Sequence, residues 1–96
     1  MKITFTKRPL GEGPERLECE AEIAFGPGPL DGMKLVGLSL WNSPEGELYV
    51  TFPSRSFGAG ADRRYFDYLR SANGDGPTAS KRVKEWVVAE YKAATP

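Results

Sequence analysis

The chain has 96 residues, with 13 basic and 13 acidic side chains, no histidine and one cysteine. That length makes a single domain over residues 1–96 with a small core, burying roughly 60–70% of the surface the unfolded chain exposes, so pairing with a second copy would add stability. A formal net charge of zero and a pI near 6.3 exclude the clearly basic domain of a strong nucleic-acid binder, the lack of a long apolar run excludes a membrane-spanning helix, and a lone cysteine excludes an internal disulfide.

The first eight residues, MKITFTKR, alternate. Ile3 and Phe5 face one way, and Lys2, Thr4, Thr6 and Arg8 the other, which predicts a half-buried strand from Met1 to Arg8 and not a secretory signal. Pro9–Pro14 reads as a loop. Glu15–Phe25 is the clearest strand, with Leu17, Cys19, Ala21, Ile23 and Phe25 on a core face and Arg16, Glu18, Glu20 and Glu22 on a wet one, the pattern of an antiparallel sheet. Carboxylates two residues apart along a strand lie too far from one another to converge on one ion, so these glutamates predict a solvated face and no metal site. Cys19 on the inner face reads as a small core residue, and a lone thiol suits a reducing compartment, so the expected location is the cytoplasm.

Gly26–Gly32 is a turn-rich connection. Met33–Trp41 predicts a third strand, with Val36, Leu38 and Leu40 on one face and Leu35, Gly37, Ser39 and Trp41 on the other; apolar on both sides, it belongs in the centre of a sheet or under a partner. Asn42–Gly46 is a hairpin loop, Glu47–Phe52 a fourth strand, and Pro53 ends its ladder. Ser54–Arg64 reads as a glycine-rich loop that carries Arg55, Arg63 and Arg64. In Tyr65–Ala72 the aromatic content favours a strand over a helix, and Asn73–Pro77 is a break. Thr78–Ala94 predicts a helix with Thr78 as N-cap and Ala79, Val83, Trp86, Val87, Tyr91 and Ala94 on its apolar face. The expected fold is α+β: an antiparallel sheet of about five strands followed by one C-terminal helix.

Without histidine the commonest general base is missing and no Ser-His or Cys-His pair can be built. The segment FGAGADRR contains G-x-G, but no helix follows immediately, so a phosphate cradle of the usual kind is not formed. No enzyme activity and no cofactor are expected. The charge is distributed more informatively: residues 1–50 carry five basic against eight acidic groups, and residues 51–96 eight against five. Lys81, Arg82 and Lys84 crowd the first turns of the helix, where the backbone is already partly positive and cations are unfavourable for the helix itself. The same placement attracts an anion. Two readings stay open for these cations and for Arg55, Arg63 and Arg64: phosphate contacts, or a solvated face partly neutralised by Asp62, Asp67 and Glu85.

The order of elements also resembles a known family. An MKIT-type first strand (Met1–Thr4), a hairpin over Leu38–Tyr49, a strand ending VTFPSR (Val50–Arg55), a glycine-rich loop (Phe57–Arg64) and a helix VKEWVVAEY (Val83–Tyr91) are similar to the stage V sporulation protein G (SpoVG) family, the likeness covering most of the chain from Leu35 onward. The resemblance implies a small sheet with a C-terminal helix, dimers formed by strand pairing between subunits, and DNA or RNA binding as a bacterial regulator. Pro53, Ser54 and Arg55 match the family's strand-end motif, and Lys81, Arg82 and Lys84 fall where members carry basic residues. The chain departs from the family at Asp67–Arg70, where members commonly have a His-Pro pair, and by an insertion at Asn73–Pro77. The expectation is a homodimeric nucleic-acid-binding regulator whose six basic residues contact phosphates. The alternative is a protein-interaction module that uses an exposed strand edge and the aromatic residues Tyr65, Phe66 and Tyr68.

Overall fold

The computed structural model describes residues 1–7, 13–72 and 77–94. The predicted extension of the first strand to Arg8, most of the Pro9–Pro14 loop and most of the Asn73–Pro77 break lie outside the described residues. In chain order the elements are β1 (Lys2–Thr6), β2 (Leu17–Ala24), β3 (Lys34–Asn42), β4 (Leu48–Thr51), β5 (Ser54–Phe57), a 3₁₀ turn (Gly60–Asp62), β6 (Arg64–Asp67) and α1 (Thr78–Ala94). β1 to β4 form a four-stranded sheet in sequence order, antiparallel throughout, so β3, apolar on both faces, is an inner strand as its composition requires. β5 and β6 form a separate two-stranded sheet. The fold is therefore α+β, with a second small sheet in place of the single sheet of about five strands.

The helix covers one face of the larger sheet. Cys19, Ala21 and Ile23 of β2, Leu38 and Leu40 of β3, Val50 of β4, Phe52, and Val87 and Tyr91 of α1 are buried together. Ile3, Phe5, Leu35, Leu48, Val83, Trp86 and Val88 pack around them. The helical spacing thus identifies the buried stripe correctly at Val83, Trp86, Val87 and Tyr91, whereas Ala94 is exposed. The helix also begins differently from expectation. Lys81 N–H donates to the Pro77 carbonyl at 2.8 Å, so Pro77 contributes the first helical acceptor and Thr78 is the first helical residue, not the residue before it.

Two bulges change which side chains face the helix. Between Leu17 and Cys19 the register skips a residue of β2, Leu17 standing opposite Trp41 and Cys19 opposite Leu40. Leu17 therefore shares the open face with Trp41, and Glu18 turns to the helix side, the reverse of strict alternation. A second irregularity pairs Ala21 with Leu38 but Ile23 with Leu35. Leu35 then joins the core and Val36 is 50% exposed, again the reverse of the expected faces. Gly37 permits this kink: its φ is +94°, and a Cβ there would lie 3.0 Å from Cβ of Pro53.

The reoriented Glu18 ties the layers together. Tyr91 Oη donates to Glu18 Oε2 at 2.5 Å, Asn42 Nδ2 donates to Oε1 at 2.9 Å, and Lys7 Nζ lies 3.5 Å from Oε2. The hydrogen bonds from Tyr91 and Asn42, with the Lys7 charge beside them, hold the Glu18 carboxyl below its ordinary range. Tyr91 and Glu18 in turn hold Lys7 above its own. Burial pushes the neighbouring Cys19 thiol up to about 11, which keeps it protonated and inert.

Candidate nucleic-acid interface

Pro53 ends the β4 ladder as its missing N–H requires, but the chain does not become a loop. Ser54–Phe57 pairs with Arg64–Asp67, and Tyr68 N–H donates to the Pro53 carbonyl at 2.8 Å, closing the root of the hairpin. Ser, Arg and Ser are weak strand formers, so the segment reads as loop until its partner strand is known. The tip turns at Gly58, whose φ is +83° and whose Cβ position would fall 2.7 Å from the Asp62 carbonyl oxygen; only glycine fits there.

The hairpin register decides what its arginines can do. Residues directly opposite in an antiparallel pair share a face. Arg55 stands opposite Phe66 and Phe57 opposite Arg64, whereas Ser54 stands opposite Asp67 and Ser56 opposite Tyr65. One face is therefore arginine and phenylalanine in a checkerboard, and the other carries serine, tyrosine and the hairpin's strand carboxylate. On the first face the two rings meet edge-on, 5.3 Å apart at 73°, and the Arg55 guanidinium lies 4.7 Å from the Phe57 ring centre. Arg63 follows the 3₁₀ turn at the tip and is exposed. Tyr65 and Phe66 point to opposite faces, so the aromatic group Tyr65, Phe66 and Tyr68 does not form one cluster.

The helix cations are placed separately. Lys81, Lys84 and Lys92 line a groove of about 620 Å³ between α1 and β4, whose apolar lining includes Leu48, Val50 and Val88. The Lys84 ammonium sits 5.0 Å from the Phe52 ring centre, and Lys81 is 4.0 Å from Glu85 one turn on, both exposed; such a surface pair contributes little. Arg82 is exposed near Pro77 and Thr78. The helix start abuts the hairpin root, where Leu69, Arg70 and Ser71 meet Ala79, Ser80 and Val83. Among the described residues none of Arg55, Arg63, Arg64, Arg82 and Lys84 forms an ion pair with a carboxylate, so Asp62 and Asp67 do not neutralise the hairpin arginines.

Sequence reasoning gave Phe57 no role, placed Phe66 only in the aromatic group of the interaction-module alternative, and gave Arg70 no role. The first two were legible as alternate members of R-S-F and R-Y-F, had the segments been read as paired strands. Among the described residues no group of three or more His, Cys, Asp or Glu side chains could hold a metal ion, and no helix is long and apolar enough to cross a membrane. Comparison with protein-family models, with curated proteins and with solved structures finds no match to this chain.

Proposed function

We propose that this protein is a nucleic-acid-binding regulator of the stage V sporulation protein G type that acts as a homodimer and contacts DNA or RNA phosphates through Arg55, Arg63, Arg64, Lys81, Arg82 and Lys84. The observation that carries this reading is that, among the described residues, five of those six cations form no ion pair with a carboxylate, in a chain whose net charge is zero. Arginines on a strand scaffold without carboxylate partners among the described residues are an arrangement that an anionic ligand would stabilise, and Lys81, at the end of the first turn of a helix that begins at Thr78, lies where positive charge opposes the helix dipole. The outer edge of β4 offers unpaired backbone groups for strand pairing between two copies. The test is a titration against labelled single- and double-stranded DNA and RNA at low and at physiological salt. Binding that weakens steeply with salt is the expected result; no binding to any of them at low salt would overturn the reading.

One observation favours a second reading. The groove between β4 and α1 lies beside a free strand edge, the arrangement in which an extended peptide adds a strand and seats alternate side chains in a pocket. In that case the protein is an interaction module. Its partner would bind with little salt dependence, and substitution of Leu48 or Val88 would weaken binding more than substitution of Arg63.

A further inference from the structure

We propose that the Arg55–Phe57–Arg64–Phe66 face of the β5–β6 hairpin is a stacking platform for single-stranded nucleic acid, the phenyl rings taking unpaired bases and the guanidiniums the phosphates between them. The inference rests on the nucleic-acid reading above and names the form of ligand that this face selects.

Three observations lead to it. Phe57 and Phe66 are each 46% exposed, on a hairpin that packs mainly against itself, so the rings add little to the core. They alternate with Arg55 and Arg64 in both directions across the pair, which sets apolar ring surface and positive charge side by side, with no carboxylate among the strand residues of that face. A duplex keeps its bases stacked inside and offers such a surface only phosphates, leaving the rings without a partner; a single strand offers both π-faces and phosphates. The two rings lie 73° apart. Planes so far from parallel cannot serve two bases still stacked on each other, but they suit bases splayed apart. The Arg55 guanidinium lies over the Phe57 ring, so a base that stacks on that face displaces it toward the neighbouring phosphate.

A second copy is a poor occupant for this face. Docked on itself across a two-fold axis, it would bring four guanidiniums together with no carboxylate between them. Self-pairing is better served by the β4 edge.

The test compares the wild type with Phe57→Leu/Phe66→Leu, which keeps apolar bulk and removes the π-faces. Fluorescence anisotropy reads the affinity for a short labelled homopyrimidine DNA strand and for the same strand annealed to its complement, and circular dichroism checks the fold. Losing two stacked bases should weaken single-strand binding roughly tenfold or more while changing duplex binding by less than about twofold. Independently of any variant, the ring protons of Phe57 and Phe66 in the wild type should shift on adding the single strand. Equal wild-type affinity for both forms, with the leucine variant unaffected and the ring protons unmoved, would overturn the platform and leave the phosphate-contact reading intact. No binding of either form at low salt would overturn both. A leucine variant that lost self-association in sedimentation, with single-strand binding unchanged, would assign the face to a second copy instead.

Discussion

Tyr91→Phe removes one hydroxyl and tests how the helix is fixed to the sheet. Tyr91 Oη donates to a carboxylate that also receives Asn42 and lies beside Lys7, so one side chain of α1 is bound to the ends of β1, β2 and β3. A hydrogen bond to a charged acceptor contributes about 1.5–3 kcal/mol, and losing it here should cost about 1–2 kcal/mol, because Glu18 retains its other partners and its side chain is 27% exposed to water. The pH dependence gives the sign. The folded Glu18 carboxyl is held below its unfolded value, so its stabilisation is complete above an unfolded pKa of about 4.3 and is lost as pH falls through the folded one. Urea unfolding followed by tryptophan fluorescence, from about pH 7 down to about pH 3, should therefore show a gap between wild type and Tyr91→Phe that narrows in acid. Glu18→Gln should remove most of that pH dependence, and the double variant should be more stable than the sum of the single losses requires. A gap of the same size at every pH would refute the charged-acceptor account, and no gap at neutral pH would show that the tether contributes nothing.

Replacing Lys81, Arg82 and Lys84 together by alanine should weaken nucleic-acid binding and lower the slope of log affinity against log salt by about 2, while the helix content seen by circular dichroism stays unchanged; an unaltered slope would remove the helix start from the interface. Gly37→Ala should destabilise the fold by at least about 1–2 kcal/mol from its left-handed backbone alone, with the 3.0 Å approach to Pro53 adding to the loss; urea denaturation measures it, and a neutral effect would mean that the bulge relaxes freely. The Cys19 thiol, buried and pushed up to about 11, should react with an aromatic disulfide reagent only as fast as the protein unfolds. Reaction within seconds in native buffer would place it at the surface.

Much of the fold follows from periodicity. Alternation in residues 2–6, 17–24, 34–42 and 48–51 commits those segments to strands, because a pleated chain presents every second side chain to one face, and the 3.6-residue spacing of Val83, Val87 and Tyr91 commits residues 78–94 to a helix with one buried stripe. Proline at 53 ends a ladder wherever it is placed. The six cations of the candidate interface were visible as residue types in a basic half. Three things were not legible. Which face Leu17, Glu18, Leu35 and Val36 occupy depends on bulges, and a bulge exists only as a mismatch between two strands. The strand at Ser54–Phe57 is created by its partner, since its own residues favour a loop. The checkerboard of Arg55, Phe57, Arg64 and Phe66 is a consequence of register, and register belongs to a pair. Local spacing is written into one segment and can be read from it; pairing across a turn is settled by the tertiary structure, because backbone hydrogen bonds carry no residue identity and only the closed turn at Gly58 sets which side chains come face to face.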